Sequence, residues 1–185
     1  MTAQSKPRMT VQQFLAWTIG QTHGRYELVR GEVVAMAPER ARHNLVKLAV
    51  ARALGDAVAR AGLPCTVFTD GMTVVIDDHT AREPDAVVQC DANTDLDATV
   101  LEAPLIVVEV VSPSSERDDT GDKLLEYFSV ASIRHYLIVR PEQGAVIHHA
   151  RAEGGEIVTR ILTSGVIDLT PPGLSVPIEQ ILVRP

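Results

Sequence analysis

Aromatic side chains are scarce, with phenylalanine, tyrosine and tryptophan making up 4% of the 185 residues. So few rings argue against a single-strand binder that stacks bases in series. Positive charge is also short. The 17 Lys and Arg stand against 24 Asp and Glu, for a net charge of −7 and a pI near 5.3. Such a field gives no general attraction to nucleic acid, so any binding of it needs a local basic face. Cysteine is limited to Cys65 and Cys90. They lie far apart in sequence with no His or Cys at zinc-ligand spacing, and read as reduced, packed thiols of a cytoplasmic protein. Residues 1–8 carry no apolar leader, and the longest apolar strand is broken by Glu109. Neither a signal peptide nor a membrane span is expected. Internal repeats and low-complexity tracts are missing as well.

Hydrophobic residues make up 45% of the chain, enough to bury a core, and one domain over 1–185 is expected, with 1–9 as a flexible tail. Thr10 and Gln13 resemble a capping box and predict a helix over Val11 to Ile19. Tyr26 to Val29 and Val33 to Ala37 flank the turn Arg30-Gly31 and predict a hairpin. Leu45, Leu48, Ala49, Leu54, Ala57 and Val58 predict a long helix from Arg42 to Ala61, stopped by Gly62. Its other face, with Arg40, Arg42, Lys47, Arg52 and Arg60, reads as solvated, the alternative being contact with phosphates. Asp70-Gly71 predicts a second hairpin, between Cys65 to Thr69 and Met72 to Ile76. Asp91 to Glu102 reads as an exposed acidic excursion. His135 to Val139 is a further strand, followed by an antiparallel pair, Val146 to His149 and Ile157 to Leu162, turning at Gly154-Gly155. The proline-containing tail is mostly extended, with a last turn at Ile178 to Leu182. Together these predict an α/β (α+β) domain, a central mixed sheet flanked by helices. The order strand, helix, strand from Leu105 to Val139 fits a parallel crossover.

The residue most in need of explanation is Glu109, inside the run Leu105-Ile106-Val107-Val108-Glu109-Val110-Val111. A carboxylate there loses hydration that only a cation or several hydrogen bonds can replace. Asp85 precedes the strand Ala86-Val87-Val88, and pairing of the two strands would bring both acids to one end of the sheet. Two convergent carboxylates oppose each other's ionisation unless a cation sits between them. Hard oxygen ligands in small number suit magnesium or manganese. Lys123, on a helix over Asp118 to Ser129 whose apolar face is Leu124, Leu125 and Phe128, lies beside Tyr127 and would approach from the flank. Each residue also has a bland reading: Asp85 as a turn former, Lys123 as a surface lysine, His43 as a helix-start residue, Glu27 as a hairpin charge. His148 and His149 are adjacent in a strand and must face opposite ways, which argues against a metal site made of that pair.

Pro84-Asp85 followed by Glu109-x-Val111 resembles the PD-(D/E)XK nuclease superfamily. Six motifs resemble, more narrowly, its Uma-type restriction endonuclease family. They are Tyr26-Glu27-Leu28-Val29-x-Gly31-Glu32, His43-Asn44, Glu83-Pro84-Asp85, Glu109-Val110-Val111-Ser112-Pro113-Ser114, Asp119-x-x-x-Lys123-x-x-x-Tyr127 and Tyr136-Leu137-Ile138-Val139-x-Pro141. The resemblance implies a restriction-endonuclease-like fold and a DNA endonuclease using Mg2+ or Mn2+. Asp85 and Glu109 would be catalytic and hold the metal, with the Val110 carbonyl as a third ligand. Lys123 would position the attacking water, because the superfamily's lysine position is filled here by Val111. Glu27, His43 and Tyr127 would be accessory, and Arg40, Arg42, Lys47 and Arg117 would contact DNA. A homodimer burying at least about 1,000 Å² is expected, since one acidic pair cuts one strand. The alternatives are a catalytically silent binding or regulatory module and a small-nucleotide phosphodiesterase.

Overall fold

The computed structural model describes residues 8–91, 94–111 and 121–182. The chain runs α1 (Val11–Thr18), β1 (Tyr26–Val29), β2 (Glu32–Ala35), α2 (Ala41–Ala61), β3 (Thr66–Thr69), β4 (Val74–Asp77), β5 (Thr80–Arg82) and β6 (Ala86–Gln89). It continues through β7 (Pro104–Val110), α3 (Asp122–Ser129), β8 (His135–Arg140), β9 (Ala145–Arg151), β10 (Ile157–Leu162), β11 (Val166–Leu169), β12 (Leu174–Pro177) and α4 (Ile178–Ile181). The central sheet has the order β10-β9-β8-β7-β6-β3, and it is mixed because β7 and β8 run parallel while the other neighbours are antiparallel. A four-stranded sheet, β2-β1-β5-β4, and the hairpin β11-β12 complete the described strands.

Local chemistry accounts for the element ends. The Thr10 side chain caps Gln13 while the Gln13 side chain returns to the Thr10 amide, so two free helix donors are satisfied at the start of α1. Arg30 and Gly31 both adopt positive φ, as a two-residue hairpin of this twist requires. Gly62 closes α2 in the left-handed conformation, its N–H returning to the last turn.

Strand alternation divides the core in two. Ala86, Val88, Ile106, Val108, Leu137 and Val139 face α2, α4 and the β11-β12 hairpin. Val87, Val107, Val111, Tyr136 and Ile138 pack with Tyr127 of α3 and Val74 of β4. Glu109 has the parity of Val107 and Val111 and so faces α3.

Several expectations need correction. Cys65 and Cys90 form a disulfide rather than free thiols. Thr66 pairs with Gln89, so the next rung outward sets the cysteines opposite each other, Cα atoms 3.9 Å apart. Strands β3 and β4 are no hairpin: β3 pairs with β6 and β4 with β5, and the chain changes sheets at Asp70-Gly71. The buried face of α2 is Val46, Lys47, Val50, Ala53, Leu54, Ala57 and Val58, while Leu45 and Leu48 are about half exposed. Helix α3 turns Lys123 and Tyr127 inward and leaves Leu125 exposed. The tail is extended with a last turn at Ile178–Ile181, as expected, and its Ile167, Leu169, Leu174, Val176, Ile178 and Ile181 are buried in the main core. Met9 is tied down as well, its N–H on the Gly31 carbonyl. No helix among the described residues is long and apolar enough to cross a membrane.

The two adjacent histidines do face opposite ways. His149 bonds Thr159 and stacks on Tyr136. His148 meets His135 of the neighbouring strand, Nε2 to Nδ1 at 3.0 Å, and His135 Nε2 lies 2.8 Å from the Pro171 carbonyl. A carbonyl only accepts, so His135 carries its proton on Nε2 and takes a hydrogen bond from His148 Nε2. Burial, and then the nearby His135 and Arg160, push His148 down to about 4. Between pH 4 and 6.5 the unfolded chain therefore binds a proton that the folded chain refuses. This contribution is present above about pH 6.5 and is lost as pH falls towards 4, a difference of about 3 kcal/mol at most. Urea melts across that window should show wild type losing stability relative to His148→Gln as pH falls, and parallel curves would contradict this.

Candidate active site

The register Ala86 opposite Val108, continued one step, sets Asp85 opposite Glu109 at the end of the two central strands. Both carboxylates are buried. Asp85 Oδ2 accepts the Val110 N–H at 2.7 Å, so Val110, named from sequence for its carbonyl, meets Asp85 through its amide.

Each acid has its own lysine, supplied by a different helix. Lys123 Nζ lies 2.9 Å from Glu109 Oε1, and the Tyr127 hydroxyl donates to the same oxygen at 2.6 Å. Lys123 and Tyr127 are four residues apart, hence on one face of α3. On the other acid, Lys47 Nζ is 3.0 Å from Asp85 Oδ1, and His43 Nε2 is 3.6 Å from Asp85 Oδ2. His43 and Lys47 repeat the four-residue spacing on α2. Lys47, 3% exposed, is therefore no part of a solvated face, whereas Arg40, Arg42, Arg52 and Arg60 are exposed. Arg117 lies outside the described residues.

Around this centre is a layer of charges in which sequence reading singled out Glu27 and Lys47 for the site but not Arg25, Glu39, Asp70, Arg82 or Glu126. Lys47 also holds Glu39 at 2.6 Å and Asp70 at 2.9 Å, and Arg25 pairs with Glu39, Asp70 and Glu83. Arg82 joins Glu27 at 2.9 Å to Glu126 at 2.7 Å, and Glu27 Oε1 accepts the Glu83 N–H. Glu27 thus borders the site, 3.9 Å from Lys123 Nζ. The signal for Lys47 was present in sequence, four residues after His43 and between the apolar Val46 and Val50.

The two acids are pushed apart electrostatically. Burial holds Glu109 up to about 7 against the pull of Lys123, and the charge on Asp85 adds to the rise. For Asp85 burial also opposes ionisation, yet His43, Lys47 and the Val110 amide outweigh it and lower its pKa. One carboxylate stays charged while the other stands poised to exchange a proton near neutrality. A divalent cation suits this donor set. Asp85 and Glu109 offer carboxylate oxygens, the chemistry magnesium and manganese use, while Glu39, His43 and Asp85 each place a ligand atom within 4.8 Å of the others around the Lys47 ammonium.

Known proteins resemble this chain along nearly all of its length. The family model described as Uma2, "Putative restriction endonuclease", matches residues 11–179. The uncharacterized protein slr1290 of Synechocystis is 23% identical over 177 residues, spanning 95% of this chain and 92% of the relative. A crystal structure from Anabaena variabilis, titled a putative nuclease belonging to DUF820, superposes with a TM-score of 0.71 at 15% identity. It covers 94% of this chain and 97% of its own, and at that identity the likeness is one of fold. With nearly its whole length matched, the chain belongs to the Uma2 family of restriction-endonuclease-like proteins.

Proposed function

We propose that the protein is a magnesium- or manganese-dependent endonuclease that hydrolyses phosphodiester bonds in DNA. The observation that carries this reading is the buried Asp85 and Glu109 at the end of adjacent strands, with Lys123 directed onto Glu109. Asp85 and Glu109 would hold the ion, with Val110 beside them and His43 and Glu27 as accessory residues. When bound, the ion would offset charge on the phosphate and make a water more acidic.

The chain's own residues then have separate tasks. Glu109 accepts the proton of the attacking water as oxygen bonds to phosphorus. Lys123 donates to that water or to a phosphate oxygen, and Tyr127 holds the Glu109 carboxylate in place. The P–O ester bond breaks and the departing oxygen takes a proton from solvent. Exposed Arg40 and Arg42, with Arg117, would meet the DNA backbone, and a homodimer would supply two such centres for a duplex. The disulfide removes the free-thiol argument for the cytoplasm, so that location follows here from the substrate alone.

One observation favours the silent binding module: both acids already have lysine partners. Incubation of plasmid and of dinucleotide substrates with Mg2+ or Mn2+ separates the readings. The endonuclease nicks plasmid, the small-nucleotide phosphodiesterase cleaves only dinucleotides, and the module leaves both intact. Light scattering at micromolar protein should give twice the 20.0 kDa chain mass, and a monomer would contradict the dimer.

A further inference from the structure

Lys47 lies where a metal ion would be looked for. Glu39, His43 and Asp85 bring three ligand atoms within 4.8 Å of one another. Two of these residues already bind the Lys47 ammonium, Glu39 Oε1 at 2.6 Å and Asp85 Oδ1 at 3.0 Å, and Asp70 Oδ2 at 2.9 Å takes its third direction. An ammonium has three N–H donors, and this one faces three carboxylates, hydrogen-bonded to Glu39 and Asp70 and ion-paired with Asp85. Nor is it easily withdrawn. The Lys47 side chain is 4% exposed, and its neighbours Val46 and Val50 are fully buried against the sheet. A surface lysine could swing into water, but this one would have to leave three carboxylates behind, the buried Asp85 among them.

We infer that Lys47 is a built-in cation: its ammonium fills the Glu39–His43–Asp85 position, which becomes a divalent-metal site only when that ammonium is removed. Resting on the metal-dependent reading above, this assigns the catalytic ion to the Glu109 side of Asp85 and makes Lys47 a positioning residue for Asp85. Glu39 is then a ligand of the lysine and not of the metal.

The test is the number of Mn2+ ions bound per chain, counted by calorimetry and by the spin-resonance signal of free Mn2+. Lys47→Met should bind one ion more than wild type, the gain should vanish in Lys47→Met/Glu39→Gln, and Lys47→Arg should show no gain. Glu39→Gln alone should leave the wild-type count unchanged, a check that does not depend on Lys47→Met folding. An ion lost in Glu39→Gln, or a folded Lys47→Met with the wild-type count, would overturn the inference. A wild type that binds no Mn2+ while Lys47→Met gains an ion removable by Glu39→Gln would sink the metal-dependent nuclease but uphold the role of Lys47.

Discussion

Glu109→Gln is expected to lower plasmid nicking by about three orders of magnitude, the scale on which a proton acceptor and an electrostatic partner act in a transition state. The fold should survive. Glutamine keeps an oxygen for the Tyr127 hydroxyl, which lies 2.6 Å from the native carboxylate, and it removes a charge that burial opposes so strongly that its pKa is pushed up to about 7. What disappears is the negative charge paired with Lys123 and the group able to take a proton. Mn2+ affinity should fall with it, because an amide oxygen is a weaker ligand for a hard cation than a carboxylate. A variant that nicks plasmid at the wild-type rate would remove Glu109 from the chemistry. One that unfolds would assign it to the core.

Arg82→Met is expected to be the most destabilising change at the site, by about 3–5 kcal/mol, since it strands the buried Glu27 and the partly buried Glu126 without their shared partner. Arg82 is 7% exposed and binds Glu27 at 2.9 Å and Glu126 at 2.7 Å. It thereby links the four-stranded sheet to α3, the helix that presents Lys123. Such a loss is a large fraction of the about 5–15 kcal/mol that typically holds a domain together. Breaking the pair Arg30–Asp122 offers a comparison, for both its side chains are at least 60% exposed. Arg30→Ala should cost less than about 1 kcal/mol. Urea denaturation of the two variants checks the contrast, and equal losses would contradict the view that the Arg82 network carries stability.

How much of this was legible in the sequence depended on the range of the signal. Capping at Thr10, the Arg30-Gly31 turn and the Gly62 stop are set by a few neighbouring residues, and all appear where local chemistry puts them. The candidate pair was legible because a carboxylate amid β-branched residues is costly, and the strand register does set Asp85 opposite Glu109. Asp70-Gly71 misled for the opposite reason. It is a strong hairpin dipeptide, but β3 and β4 each found a partner distant in sequence, and tertiary pairing decided the outcome. The same long-range pairing joined Cys65 to Cys90.

The helix faces were read correctly at Leu54, Ala57, Val58, Leu124 and Phe128 but misread at Leu45, Leu48 and Leu125, with consequences for the site. Leu45 and Leu48 seemed the natural core of α2, yet Val46 and Val50 are buried, and that rotation brings Lys47 inward. On α3 the leucines suggested one face, while the Lys123–Tyr127 face is the one that meets Glu109. In both helices a buried lysine is stabilised by acids from other elements, which helical periodicity cannot reveal. Arg25, Glu39, Asp70, Arg82 and Glu126 were hidden for the same reason: each looks like an ordinary surface charge until the fold assembles its partners.

The central claim is that this acidic pair and its lysine serve metal-dependent cleavage of DNA, and conversion of supercoiled plasmid to nicked circles tests it most directly. Wild-type protein should nick the plasmid with Mg2+ or Mn2+, stop when EDTA is added, and lose the activity in Glu109→Gln. Intact plasmid with folded wild-type protein across both metals, or nicking that persists in EDTA, would contradict it.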